Sequence, residues 1–230
     1  MIKFEDLPAQ LRNEDVERYY KLLNNKRISL FCKLLMDRLL ALVLLILFSP
    51  VILIIGIWIK IDSSGPAIYK QARITQYGRE FKIWKFRTMV VGADKKGSLV
   101  TSHNDNRITK IGKFIRKYRI DELPQLINVL LGDMSFVGTR PEVPKYTNQY
   151  TDEMKATLLL PAGITSPASI SFKDEDIIIN RCIERGLTVD DAYVNEVLPA
   201  KMHYNLEYLR QFSFINDLKI MIQTVVEVVK

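Results

Sequence analysis

From Leu39 to Ile59 the chain runs 21 residues without a charge, and on both sides of that run polarity changes on much shorter periods. Residues 1–28 are polar, and Asn13 followed by Glu14–Leu23 predicts a capped helix in a surface lead-in. After the apolar run, "DSSGP" (Asp62–Pro66) marks a turn. Then "AIYKQARI" and "EFKIWKFRTM" flank "TQYGR", a mixed apolar–polar pattern around Gly78 that predicts a β-hairpin. "VGADKKGSLVTSHND" (Val91–Asp105) has loop composition and is expected to be mobile. In "RITKIGKFIRKYR" (Arg107–Arg119) the apolar residues Ile108, Ile111, Phe114, Ile115 and Tyr118 recur at helical spacing. A second helix is expected to start near Asp121, because Pro124 fits only a first turn, and to end at Gly132. The last third reads as two helices, Thr188–Gln211 and Ile215–Val229. The second is strongly apolar but short for a span and contains Asp217, Lys219 and Glu227, which suits a docking or membrane-surface helix. The fold class expected is α+β, mainly helical, with a small β-hairpin and amphipathic surface helices.

The apolar run is long enough to cross a bilayer, which takes about 20 helical residues. Ser49-Pro50 stands at its centre. Proline removes an amide and crowds the carbonyl four residues back, that of Ile46; the Ser49 hydroxyl is a local partner for that freed carbonyl. Each arm of about 10 residues would reach roughly 15 Å, near the middle of the hydrocarbon. The flanking charges do not choose a side. Five lysines and arginines lie in residues 19–38 and four in residues 60–79, a balance that suits a helix leaving by the face it entered. On these residues alone, a proline-kinked span and a re-entrant hairpin both remain open.

Charge narrows the function classes. The net charge is +7 and the pI about 9.3, which suits nucleic acid, anionic lipid or phosphorylated substrates. The apolar run tilts the balance to lipid and phosphate. Arg107–Arg119 has six basic residues and no acid, a pattern for a helix on an anionic membrane, over a phosphate site, or simply solvated above a core. Cys32 and Cys182 form no motif and are expected to be free thiols. His103 and His203 show no ligand spacing. The apolar run starts too late for a secretory signal, and no P-loop or dinucleotide fingerprint is present.

Asp121-Glu122 follow the basic segment at an expected helix start. Acids there serve as a cap and favour the helix dipole. With Arg116 five residues before and Arg140 nineteen after, they also form a set suited to a diphosphate ester. One carboxylate attacks phosphorus, the other holds a metal, and the arginines neutralise oxygen charge.

With these residues in view, the chain resembles the bacterial sugar transferases, the monotopic phosphoglycosyl transferases. The likeness rests on "KFRTM" (Lys85–Met89), "RITKIGKFIRKYRIDELPQLINVLLGDMSFVGTRP" (Arg107–Pro141), "GIT" (Gly163–Thr165), the Ser-Pro pair and "SFINDLKIMIQTV", and extends from about Lys33 to the end. It implies transfer of a sugar-1-phosphate from a UDP-sugar to polyprenol (undecaprenyl) phosphate through an aspartyl intermediate. Asp121 would be the nucleophile, and Glu122, with Asp121, would be tied to Mg²⁺. Arg116, Arg140, Lys85 and Arg87 would line the phosphate and substrate site. Ser49-Pro50 would break a re-entrant membrane helix. The organisation implied is a lead-in over 1–30, the re-entrant helix over 31–62, and a catalytic domain with interfacial helices over 63–230. That domain would face the cytoplasm at the bacterial inner membrane. No nucleic-acid partner is expected. A membrane-tethered nucleic-acid binder and a non-catalytic scaffold are the rival readings. Two positions depart from the family pattern: Thr139 replaces the usual proline before Arg140, and "AGITSPAS" replaces "PGITG.AQ". The sugar, the polyprenol length, the pathway, the oligomeric state and any role for Asp174, Glu175 and Asp176 are therefore not readable.

Overall fold

Asn13 opens the first helix, α1 (Glu14–Asn24), by accepting a hydrogen bond from the Val16 amide at 2.9 Å. The computed structural model describes residues 1–93, 106–172 and 175–229, except for the side chains of residues 176, 228 and 229. His103, Asp174 and most of the Val91–Asp105 segment lie outside the described residues, as does the side chain of Asp176. Val16, Tyr19 and Leu23 share one face of α1 and are buried together with Leu7 and Leu11. The segment expected as a surface lead-in therefore packs into the main core rather than lying over it.

Helix α2 (Arg27–Asp62) is 36 residues long and contains an 18-residue window of mean hydropathy 3.1, of which only 11% is buried. By length and composition it is able to cross a membrane. The helix is continuous through Pro50, so the break that the resemblance implies at Ser49-Pro50 is not seen in the structure. The Ser49 hydroxyl donates to the Ile46 carbonyl at 2.8 Å, the very group that proline leaves without an amide donor. Both arms of α2 are tied to the folded body. On the first arm, buried Lys33 donates to the Val137 carbonyl and to Asp217, both at 2.7 Å, and Asp37 accepts from the Phe136 amide. On the second, Ile52, Ile55 and Ile59 pack with Phe86, Ile111 and Ile115 in a separate small core.

Strands β1 (Ile68–Ile74) and β2 (Glu80–Phe86) form the expected antiparallel hairpin, with Tyr69 opposite Lys85. Its connection needs the left-handed backbone region at Tyr77 (φ 59°) and Gly78 (φ 75°). Helix α3 (Lys110–Lys117) is shorter than the basic segment. Arg107 and Ile108 are spent on the bridge from Ile108 to Met89, and Thr109 caps the helix. Asp121 and Glu122 do not begin the next helix. They occupy a 3₁₀ turn (Ile120–Glu122), and α4 (Gln125–Leu131) opens only after Pro124. Two local causes act here: Arg119 is left-handed (φ 56°), which breaks the run from α3, and Pro124 has no amide to donate. Gly132 closes α4 at φ 83°.

Beyond α4, β3 (Met134–Val137) pairs in parallel with β4 (Ala162–Thr165). Short helices α5 (Pro144–Thr147) and α6 (Pro167–Ser171) follow β3 and β4 in turn along the chain. Helix α7 (Glu175–Glu184) follows, then α8 (Val189–Ala192), a π turn (Tyr193–Val197) and α9 (Leu198–Arg210) in one helical run. Helix α10 (Phe214–Val229) ends the described chain. These last elements match the two helices expected. Exposed Ile215, Ile222 and Val225 on α10 add to the exposed apolar surface of α2.

Candidate active site

Three elements carry the charged residues to one place. Strand β2 brings Lys85, the 3₁₀ turn brings Asp121 and Glu122, and the segment after β3 brings Arg140. The exit arm of α2 supports them, since Ile120 and Leu123, on either side of the acidic pair, pack on the small core built around Ile55 and Ile59.

Arg140 is fixed by its flanks. The parallel ladder continues past the strands through Gly138 N–H to the Thr165 carbonyl (3.0 Å) and Gly163 N–H to the Thr139 carbonyl (2.9 Å). A Cβ at Gly163 would sit 2.2 Å from the Gly138 nitrogen, so only glycine allows this approach. On the far side, Arg73 donates to the Pro141 carbonyl at 3.0 Å and Ile74 N–H to the Glu142 carbonyl at 2.9 Å. Buried Glu142 accepts from the Tyr193 hydroxyl at 2.5 Å, which ties the segment to the π turn as well.

Glu122 is the hub. Its Oε1 receives Arg140 Nη2 at 2.7 Å and Lys85 Nζ at 3.4 Å, with Arg119 Nη1 at 3.8 Å. Burial alone would raise its pKa, but Arg140, Lys85 and Arg119 outweigh burial and hold it down to about 2. The Arg140 guanidinium is in turn stabilised in its charged form, chiefly by Glu122. Lys85 is pushed down by burial, with Glu122 opposing. Asp121 behaves differently. Burial, and then the neighbouring Glu122 charge, raise its pKa, while Lys85, Arg116 and Arg119 pull it down. The pair thus separates into one carboxylate locked in ion pairs and one that forms no ion pair within 4 Å among the described residues.

A clamp that the sequence reading missed aligns these parts. Asn128, fully buried on α4, accepts from the Trp84 amide and donates to the Lys82 carbonyl, both at 2.9 Å. Its side-chain amide takes the place of a neighbouring strand along the free edge of β2, and so sets the turn bearing Asp121 and Glu122 against the strand bearing Lys85. An asparagine among the apolar residues of "QLINVLL" was the available signal, since such a side chain is buried only with partners.

The structure therefore gathers Asp121, Glu122, Arg116, Arg140 and Lys85, and adds Arg119. It does not bring Arg87 there. Arg87 is buried and donates to the carbonyls of Ser63 (2.7 Å), Ser64 (2.5 Å) and Ile59 (3.4 Å), where it satisfies the C-terminal end of α2. Glu175, in the acidic cluster, forms an ion pair with Lys201. Among the described residues no three His, Cys, Asp or Glu side chains form a metal cluster. Two adjacent carboxylates are nonetheless a fitting donor set for Mg²⁺, which is commonly held by one or two carboxylates and completed by substrate phosphates.

A family model described as bacterial sugar transferase matches residues 28–230. The chain is 38% identical over 192 residues to the UDP-glucose:undecaprenyl-phosphate glucose-1-phosphate transferase of Escherichia coli, covering 82% of this chain and 38% of that protein. It is 34% identical over 196 residues to a protein of the same name in Caulobacter vibrioides, covering 84% and 68%. It is 46% identical over 122 residues to a putative undecaprenyl-phosphate N-acetylgalactosaminyl 1-phosphate transferase of Bacillus subtilis, covering 53% and 68%. The chain spans well under half the length of the Escherichia coli relative.

Proposed function

Because the chain belongs to the bacterial sugar transferase family, we propose that it is a phosphoglycosyl transferase moving a sugar-1-phosphate from a UDP-sugar to undecaprenyl phosphate. The names of its relatives, which are transferases acting on undecaprenyl phosphate, support this reading. The observation that carries it is the division of labour between Asp121 and Glu122. Glu122 is neutralised by Arg140 and Lys85, so the pocket retains one carboxylate able to act as a nucleophile among cations suited to a diphosphate.

In the first step an Asp121 carboxylate oxygen attacks the phosphorus bearing the sugar. A new P–O bond forms to Asp121, the bond to the departing phosphate breaks, and UMP leaves with that electron pair. In the second, an oxygen of the polyprenol phosphate attacks the same phosphorus. The bond to Asp121 breaks, the carboxylate is regenerated, and a polyprenyl diphosphate sugar is released. Asp121 and Glu122 would hold Mg²⁺, whose role is to neutralise charge on the diphosphate oxygens. The relatives' names differ in the sugar they carry, glucose in one and N-acetylgalactosamine in another, so the donor is specified here only as a UDP-sugar.

Topology belongs to the same proposal. Lys33 and Asp37 on one arm of α2, and Ile55 and Ile59 on the other, contact one body, and Ser49 compensates Pro50 at the midpoint. A helix that enters the bilayer and returns keeps both arms with that body, and places the site at the membrane surface on the cytoplasmic side. There a soluble donor and a lipid acceptor both reach Asp121.

The decisive experiment supplies UDP-sugars without acceptor. The enzyme should release up to one equivalent of UMP and retain phosphosugar on the peptide containing Asp121, as read by mass spectrometry. Asp121→Asn should lose both the adduct and turnover, and EDTA should abolish the wild-type burst. UMP release that requires both substrates, with no trapped adduct, would instead assign direct attack by the acceptor; a full burst in chelator would remove the metal.

A further inference from the structure

The charges at the site do not balance, and the surplus points to a residue outside the motif. Lys85 and Arg140 are both committed to Glu122. Their two positive charges match the two negative charges of Asp121 and Glu122. Two cations remain at the mouth, Arg116 and Arg119. Among the described residues Arg116 has no carboxylate within 4 Å, and Arg119 has only Glu122, at 3.8 Å, beyond hydrogen-bond reach. The Arg119 side chain is 65% exposed. A diphosphate ester is an anion that these two unengaged arginines can meet beside the metal proposed above.

The backbone at Arg119 is unusual in the same sense. It is one of two described non-glycine residues with positive φ (56°). That conformation is disfavoured for a side-chain-bearing residue, and such strain clusters at functional sites. It is held by Arg119 N–H donating to the Arg116 carbonyl at 3.1 Å and Glu122 N–H donating to the Arg119 carbonyl at 3.2 Å. The turn holds the exposed guanidinium 3.8 Å from the largely buried Glu122 carboxylate.

We propose that Arg119 binds the donor's diphosphate directly, as an exposed arm at the edge of the site that complements the ion-paired Arg140. This rests on the transferase reading above. Guanidinium suits the role, because its planar fork meets two phosphate oxygens at once.

The test uses the full chain in nanodiscs with UDP as the probe. Arg119→Gly removes the charge yet keeps the left-handed turn, and Arg119→Asn, the next most tolerant residue there, serves as the second variant. Both should weaken UDP binding about tenfold by calorimetry, with uridine binding unchanged. Arg119→Lys should recover part of the loss. In turnover, donor KM should rise about tenfold and become less sensitive to salt. Equal UDP affinity in wild type, Arg119→Gly and Arg119→Asn overturns the assignment of Arg119 and leaves the transferase reading standing. Weakened UDP binding without UMP release from any UDP-sugar supports Arg119 and overturns the transferase reading. Failure of the wild type to bind UDP overturns both.

Discussion

Lys85 contacts Glu122 and acts through its charge on the neighbouring Asp121, which makes it a lever on the proposed nucleophile. Its charge is among those that pull the Asp121 pKa down against burial. Replacing it with methionine removes that pull, so the Asp121 pKa should climb further. The carboxylate is the reactive form, and a higher pKa leaves less of it at low pH. The acid limb of single-turnover UMP release should therefore move to higher pH in Lys85→Met. An unmoved limb would show that Asp121 is not the titrating group. Asp121, Glu122, Arg116 and Arg140 were legible because their spacing in one motif already suggested phosphate chemistry. Arg87 was misplaced for a physical reason. Strand alternation puts residues 85 and 87 on the same face only while the strand lasts, and β2 ends at Phe86. Arg119 was hidden by its setting, since one of six cations in a basic segment carries no individual signal until the backbone turn is known.

Helix α2 shows how a single element can be readable in composition but open in geometry. The sequence located the apolar run, its midpoint and the Ser49 repair of the Ile46 carbonyl, all of which appear in the structure. Which side each end occupies depends on the bilayer, and that is a matter for labelling. Cysteines introduced near residues 10 and 150 should react from the same face of the membrane. In a Ser49→Leu, Pro50→Leu double variant, a fraction of molecules should react from opposite faces, because every carbonyl along the apolar run then has its backbone amide partner and spanning is favoured. Opposite-face labelling of the unaltered protein would rule out the hairpin. The start of α4 was missed by several residues because local propensity favours acids at a helix start, whereas the left-handed Arg119 and the amide-less Pro124 postpone it.

At the level of the whole molecule, the body is held to α2 by charge buried at two remote points of the chain. Lys33 and Asp217 are both almost fully buried, and the Tyr208 hydroxyl completes the carboxylate's partners at 2.8 Å. Lys33→Met leaves Asp217 without its counter-ion and should cost about 3–5 kcal/mol. Thermal unfolding in detergent should show a clearly lowered midpoint, with Asp217→Asn in the same background restoring part of it. Their pairing was not readable from sequence, because 184 positions separate them and no local pattern links them. That separation has a bearing on biosynthesis. The ribosome exports Lys33 long before it makes Asp217, and at roughly 5–20 residues per second the wait is on the order of 10–40 seconds. During that time the first arm of α2 must find its place with an unmatched ammonium beside its apolar run. Final seating therefore waits until α10 has been made, and a nascent chain halted before α10 would leave the lysine without Asp217.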